Sequence, residues 1–490
     1  MSLGNEVEPF RAAVHEAVDR LVGHWRALAD ERLPVTRPGR APGATVAALP
    51  ALPPEQGEPL DRILQDTWDT VVPGLVHWQH PAFLAYYPTG NSPASVLAEL
   101  VTAGLGVQGM MWTTGPAATE LEQVVTDWLA QALGLPGHFL HTSGNGGGVI
   151  QDSASSAVLV AVVAALHRAS RGRWRDLGTE GRYRLYRTDQ ANSCVAKAAR
   201  VAGLGESTVV PTLPGTARMD PRALRERLAA DRAAGGVPAI VVATVGTTGT
   251  CAVDPLADIG RICREEGVWL HVDAAYAGPA ALCPEFRWLN DGVGAADSYA
   301  VNAHKWMRTG TPCNVMWTSD RRSLTEAMSV SPPYLRNEAS DTGAVVDYRD
   351  WQIPLGRPMR ALKLWYVMRA HGLQGLREAI RHDVRMAALL AELVAAEAGF
   401  HLVTHRLGLV VFRLDTDPRT REVARSLAGD PALLLSSSTV DGRPVLRAAL
   451  GSPLLTEATV HRVWRTIRRH AAPGGPTASE VEVDDDRRVV

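Results

Sequence analysis

The chain has no CxxC pair, and its five cysteines (Cys194, Cys251, Cys263, Cys283 and Cys313) show no metal-ligand spacing. An odd count also argues against a complete disulfide framework, so a reducing compartment, the cytoplasm, is expected and no metal is. No run of about 18 uninterrupted apolar residues occurs, and the start, MSLGNEVEPF, lacks a basic segment followed by an apolar one. Neither secretion nor a membrane partner is therefore expected. Charge of one sign is lacking too: 50 Lys and Arg against 52 Asp and Glu leave a net charge of -2. With the basic residues scattered rather than gathered in a stripe, nucleic acid is not expected as a partner.

What is present is a large apolar fraction, 46% over 490 residues, enough for a sizeable core in two or three domains. Near the N-terminus Phe10, Val14, Val18, Leu21, Trp25 and Leu28 recur at helical spacing. A Pro-rich stretch from Leu33 to Pro59 then reads as an extended arm, because proline removes backbone donors. From about Gly137 to Trp317 short apolar runs alternate with helical segments, the pattern of a mainly parallel sheet covered by helices. The clearest strands are expected at Ala239 to Val245, Val268 to Val272 and Ser298 to Val301, with a helix over Met359 to Ala370 and a further apolar run at Gly408 to Leu414. The expected divisions are residues 1–90 as an N-terminal helical arm for dimerisation, 91–370 as a large α/β domain, 371–472 as a small C-terminal α+β domain and 473–490 as a disordered, acidic tail.

Ligands of open α/β sheets gather at strand ends, so polar residues there deserve inspection. Three pieces qualify. The run Ser143-Gly144-Asn145-Gly146-Gly147-Gly148, followed by Ser153-Ala154-Ser155, supplies glycines and hydroxyls that suit a phosphate cradle, although a Gly-rich turn is more often simple chain reversal. In Trp269-Leu270-His271-Val272-Asp273-Ala274-Ala275-Tyr276 an apolar strand ends in an acid able to pair with a protonated pyridine nitrogen, or to cap a helix. In Val301-Asn302-Ala303-His304-Lys305-Trp306 a lysine stands between apolar residues, where an ammonium is costly unless neutralised or converted to a Schiff base.

These pieces, with HPAFLAYYPTGNSP, GPAATELEQVVTDWLAQALGLP, GGVIQDSASSA, VATVGTTGT, WLHVDAAYAGPAALCPEFR, NAHKW and DYRDWQIPLGR in one order, resemble the aromatic-L-amino-acid decarboxylase family of fold-type I pyridoxal-phosphate enzymes. The likeness runs from roughly Phe10 to His470. It implies that Lys305 carries pyridoxal 5'-phosphate covalently, that Asp273 pairs with the pyridine nitrogen and that Ala275 lies against one ring face. It further implies that Ser153, Ala154, Ser155 and Asn302 hold the phosphate, with Thr248 and His304 beside the cofactor. Tyr334 matches the tyrosine that protonates the carbanion after carbon dioxide leaves, and a homodimer with its sites at the subunit interface is implied as well.

Two departures bear on function. Where the family's decarboxylases stack a histidine over the cofactor ring, this chain reads Thr188-Asp189-Gln190-Ala191-Asn192-Ser193, so Asn192 stands there. An amide cannot titrate near neutral pH and has no aromatic face. Insect aldehyde synthases of this family resemble decarboxylases with asparagine at this position; they use molecular oxygen as co-substrate and release aldehyde, ammonia and peroxide. The second departure concerns a substrate pocket expected from Tyr86, Tyr87, Pro88, Thr89, Gln108 and Met110. Gln108 and Met110 stand where aromatic-substrate enzymes carry an aliphatic residue and a phenylalanine, which points to a more polar or bulkier amino acid. The expected activity is decarboxylation coupled to oxidative deamination of an L-amino acid, giving an aldehyde. A decarboxylase that gives an amine is the alternative, and a scaffold that has lost the chemistry is disfavoured by the joint survival of Lys305, Asp273, Asn302 and Tyr334.

Overall fold

A computed structural model of the chain describes residues 6–36, 41–330 and 344–474. It comprises two compact units, one of Thr89–Arg385 with His405–Leu409, the other of Met1–Pro88, Met386–Thr404 and Val410–Val490.

The larger unit is organised by a seven-stranded sheet built from β1 (Gly147–Gln151), β2 (Tyr183–Arg187), β3 (Thr208–Val209), β6 (Val237–Thr244), β7 (Trp269–Asp273), β8 (Ser298–Asn302) and β9 (Asn314–Thr318). A separate hairpin pairs β4 (Thr212–Leu213) with β5 (Arg218–Met219). The strand order is β1-β9-β8-β7-β6-β2-β3. Pairing is parallel from β3 through β2, β6 and β7 to β8, while β9 runs antiparallel to both β8 and β1. Every strand except β9 therefore delivers its carboxyl end to one edge of the sheet. The run Ile240-Val241-Val242-Ala243 is fully buried, as a parallel strand covered on both faces requires. On one face lies helix α1 (Ala154–Ser170), whose small residues Ala157, Ala161, Ala164 and Ala165 let it pack closely over Val149, Val242, Trp269, Ala300 and Met316. The expected strands are present at these positions, with boundaries shifted by one or two residues.

The glycine run departs from its expected role. Gly147 and Gly148 belong to β1 itself and lie at the strand's start, Gly147 roughly 13 Å from Gln151 at its other end, beyond which Ser153 follows. A Cβ on Gly146 would sit 1.9 Å from the His138 carbonyl oxygen, and one on Gly148 2.6 Å from the Thr126 side chain. Close packing of this strand requires these glycines, and they form no part of a phosphate cradle.

As an outer strand, β1 leaves the N–H and C=O of Ile150 without a strand partner, and side chains satisfy them. Glu122 Oε1 accepts from Ile150 N–H at 2.7 Å and from Arg357 Nη2 at 2.7 Å, while Arg357 and Arg360 each donate to Ile150 O at 2.8 Å. Glu122 and Arg357 are both buried, and Arg357 also stands over the Tyr348 ring at 4.7 Å. The cluster blocks further pairing at this edge.

The second unit carries a four-stranded sheet in the order β10 (Phe400–Arg406), β11 (Leu409–Leu414), β13 (Arg443–Ala449) and β12 (Ser436–Val440). Its core joins Val410, Phe412, Val423, Leu427, Val463, Trp464 and Ile467 to Phe83 and Leu84 from the N-terminal part of the chain. Phe83 bridges Leu434, and Ala449 N–H donates to Leu84 O at 2.8 Å. The N-terminal apolar stripe forms a helix over Val7–Ala29, but Phe10 and Val18 on that stripe remain about half exposed. The helix expected from Met359 runs over Ala361–Ala396, broken at Gly372, where φ is 61°.

Removing the Glu122 carboxylate strands a buried guanidinium and a strand N–H together. Glu122→Ala should lower the free energy of unfolding by about 3–5 kcal/mol, measured as a shift in urea midpoint. A shift within error would show that water replaces the carboxylate.

Candidate active site

The polar residues singled out in the sequence meet at the carboxyl edge of the large sheet. Asp273 ends β7 in register with Thr244 of β6 and Ala300 of β8. Beyond it the chain turns through Ala274 and Ala275, and Ala275 N–H donates to Asp273 Oδ1 at 3.1 Å. Asn302 N–H then donates to Ala275 O at 3.1 Å, holding the ends of β7 and β8 together. A single helical turn, Ala303–Trp306, follows Asn302 and carries His304 and Lys305. Burial pushes the Asp273 carboxyl up; the Ala275 N–H and the nearby Lys305 charge pull it back.

On the other side of β7 the loop after β6 carries Thr248, which is exposed. Gly246 makes that loop possible, with φ at 90° and an added Cβ only 2.6 Å from Ala277. Asp254, which the sequence reading passed over, anchors the loop by accepting from Met219 N–H at 2.6 Å and Thr244 N–H at 2.8 Å. Its only sequence signal is an acid within an otherwise apolar stretch.

At the end of β1, Ser153 caps α1 by accepting from Ser156 N–H at 3.1 Å. The first-turn amides at Ala154 and Ser155 thus open at the same sheet edge, where a helix N-terminus attracts an anion. Asn302 commits its Oδ1 to Asn314 Nδ2 at 2.8 Å, which leaves its own amide N–H groups to donate. His304 contacts the backbone of Cys313 at both N–H (3.1 Å) and C=O (3.0 Å). Burial, reinforced by Lys305 and Lys363, lowers its pKa to about 4, so the ring is neutral at physiological pH.

Beyond β2 lies Asn192, the N-cap of helix α2 (Ser193–Val201), whose Oδ1 accepts from Cys194 N–H at 3.0 Å. Its oxygen is thereby engaged by the helix, while its NH2 group has no hydrogen-bond role in the cap. Cys194, also missed in the sequence, ties the parts together. Its thiol is pushed up to about 12 by burial and by Asp273, with Lys305 and a hydrogen bond from Ser155 acting in the opposite sense. Four residues from four separate chain segments therefore lie within electrostatic reach of one another.

The expected substrate residues are divided between the two units. Tyr86, Tyr87 and Pro88 belong to the unit with the four-stranded sheet; Thr89, Gln108 and Met110 belong to the larger one. Tyr86 N–H donates to Ser436 Oγ at 2.8 Å, and Arg447 stands over the Tyr87 ring at 4.3 Å. Gln108 is exposed and bridges Pro358 through its backbone, so in the single chain it is not the buried amide on which the expectation of a polar substrate rested. Tyr334 lies outside the described residues.

A buried carboxylate at the end of a central strand, a helix N-terminus with added amide donors and a lysine after the next strand together fit a ligand with a cationic ring nitrogen, a phosphate and an aldehyde. Pyridoxal phosphate has all three. The family model "Pyridoxal-dependent decarboxylase conserved domain" matches residues 42–415. The chain belongs to the pyridoxal-dependent decarboxylase family. It is a pyridoxal-phosphate enzyme. It is 42% identical to phenylacetaldehyde synthase of Arabidopsis thaliana over 95% of this chain and 96% of that protein. To tryptophan decarboxylase 2 of Oryza sativa subsp. japonica it is 39% identical, over 95% of each chain. The crystal structure of Oryza sativa TDC with PLP and tryptamine matches with a TM-score of 0.91 at 38% identity, covering 95% of this chain and 98% of that one. The fold expected from the resemblance, a mainly parallel sheet with a small C-terminal sheet domain, is the fold of this family member.

Asparagine is among the best helix N-caps, and replacing it with alanine typically costs about 0.5–2 kcal/mol. Asn192→Ala should accordingly speed hydrogen exchange at the Cys194 amide in the cofactor-free protein, while Asn192→Ser, which keeps an oxygen acceptor, should not. Equal exchange in both variants would contradict the capping role.

Proposed function

We propose that this enzyme decarboxylates an aromatic L-amino acid and oxidatively deaminates it in the same cycle, converting amino acid, oxygen and water to aldehyde, carbon dioxide, ammonia and hydrogen peroxide. The observation that carries this reading is Asn192. Its oxygen is held by Cys194 N–H, and its amide NH2 group has no proton to give near neutral pH. A ratio of tenfold between protonation and attack by oxygen needs only about 1.4 kcal/mol of barrier difference, within reach of one side chain. The aromatic class is supported by relatives named for phenylacetaldehyde, tryptophan and tyrosine.

When bound, pyridoxal phosphate draws electrons from the bond to the departing carboxyl group. Lys305 is assigned to hold it covalently, and Asp273 to keep its ring nitrogen protonated by giving that charge a buried partner. Ser153, Ala154, Ser155 and Asn302 are assigned to the phosphate, Ala275 to one ring face, and Thr248 and neutral His304 to the cofactor's surroundings. Release of an amine is the second reading, favoured by Tyr334 in the sequence. We further infer a homodimer, because Val7, Phe10 and Val18 leave one helix face apolar and exposed. A reducing compartment, the cytoplasm, suits five cysteines that are all buried and form no disulfide among the described residues. Among the described residues no helix is long and apolar enough to cross a membrane.

Borohydride reduction of the holoenzyme followed by peptide mapping should recover the pyridoxyl group on Lys305; recovery on another lysine would overturn that assignment. Asp273→Asn should impair turnover more than cofactor retention.

Product analysis tests the reaction itself. With a panel of aromatic amino acids in air, oxygen uptake should match carbon dioxide release and yield aldehyde. Asn192→His should shift product toward amine and reduce peroxide. Stoichiometric amine from the unaltered enzyme, with no oxygen uptake, would establish the second reading instead.

A further inference from the structure

One buried carboxyl group near the site has no place in the chemistry above. Asp383 lies on the helix after Ala361, is 2% exposed and accepts the indole N–H of Trp306 on Oδ2 at 2.8 Å. Its Oδ1 has no hydrogen-bond partner among the described residues. Burial pushes this carboxyl up to about 7 despite the pull of the Arg308 charge and the Trp306 hydrogen bond. A neutral acceptor such as an amide or a backbone carbonyl would satisfy an indole at a smaller desolvation cost; the carboxyl group also faces the charge of the partly desolvated Arg308.

Trp306 directly follows Lys305, and its ring stacks on Tyr276, with centroids 5.0 Å apart and an interplanar angle of 12°. Tyr276 closes the turn that begins at Asp273. The stack thus links the turn after β7, which bears Asp273, to the turn after β8, which bears Lys305. An indole can slide or rotate in a stack of this kind, but a hydrogen bond at its N–H fixes its orientation in the plane. Arg308, two residues further on, is held by its own backbone, since its carbonyl accepts from Ser92 Oγ at 2.9 Å.

We propose that Asp383 is a positioning residue for the active site: by holding the Trp306 indole against Tyr276, it sets the separation of Lys305 from Asp273 and hence the fit of the cofactor between them. This rests on the assignment of Lys305 as the cofactor lysine.

The test measures the dissociation constant of pyridoxal phosphate by titrating cofactor-free protein and following the absorbance of the bound form. Leaving a buried indole N–H without an acceptor is costly enough to predict that Asp383→Ala weakens cofactor binding about tenfold or more. Asp383→Asn, whose amide oxygen can still accept the indole N–H, should stay within about threefold of the unaltered protein. Trp306→Phe keeps a ring on Tyr276 but removes the donor. It should weaken binding as Asp383→Ala does, and it carries the test if that variant does not fold. Combining the two should weaken binding no further than the worse single change. Unchanged affinity in Asp383→Ala, equal failure of Asp383→Asn, or full additivity of the pair would each overturn the proposal. Borohydride mapping of the unaltered protein separates this outcome from failure of the Lys305 assignment, since label on a different lysine would remove the premise itself.

Discussion

A carboxylate taken out of water costs several kcal/mol unless a cation or hydrogen-bond donors meet it, and Asp273 is such a group. It is buried at the end of a central strand, with one backbone N–H from Ala275 and the charge of Lys305 nearby. The rest of the site is arranged around this constraint. Strands β6 and β8 flank it in register, so their exit loops carry Thr248 on one side and Asn302, His304 and Lys305 on the other. A protonated ring nitrogen is the kind of partner that suits such a carboxylate.

The supporting interactions share one feature: amide oxygens are turned inward and N–H groups are left for the ligand. Asn302 gives its oxygen to Asn314, and Asn192 gives its oxygen to the helix that it caps. A phosphate needs donors, so this arrangement suits the first residue. The second keeps an NH2 group that can donate a hydrogen bond but cannot exchange a proton near neutral pH. An ordinary helix cap and a change in reaction outcome can thus reside in one side chain, because the cap engages the oxygen and leaves the NH2 group.

Several features were legible in the sequence because they depend on local pattern. Runs such as Ile240-Val241-Val242-Ala243 announce a parallel strand, and an acid or a lysine just past such a run lies at the edge where ligands bind. Asp273, Asn302, His304 and Lys305 could be selected on that basis, and the order of motifs made the family recognisable. The glycine run stayed open between two readings because Gly146, Gly147 and Gly148 look alike whether they cradle a phosphate or admit a tight crossing. Only the neighbouring His138 carbonyl and Thr126 side chain distinguish the two. Gln108 is exposed in the single chain, which its residue type alone does not announce, since exposure is a property of the assembled chain.

By itself, then, the sequence determined which strands form, where they end and which reactive side chains stand at those ends, because period and composition act over a few residues. The tertiary structure decided which of those ends lie side by side. It turned the Asn192 oxygen to Cys194, brought the Cys194 thiol within reach of Asp273 and Lys305, and set Asp383 against Trp306 across a separation of 77 residues. Such pairings depend on strand order and helix packing, in which segments distant along the chain compete for one buried space.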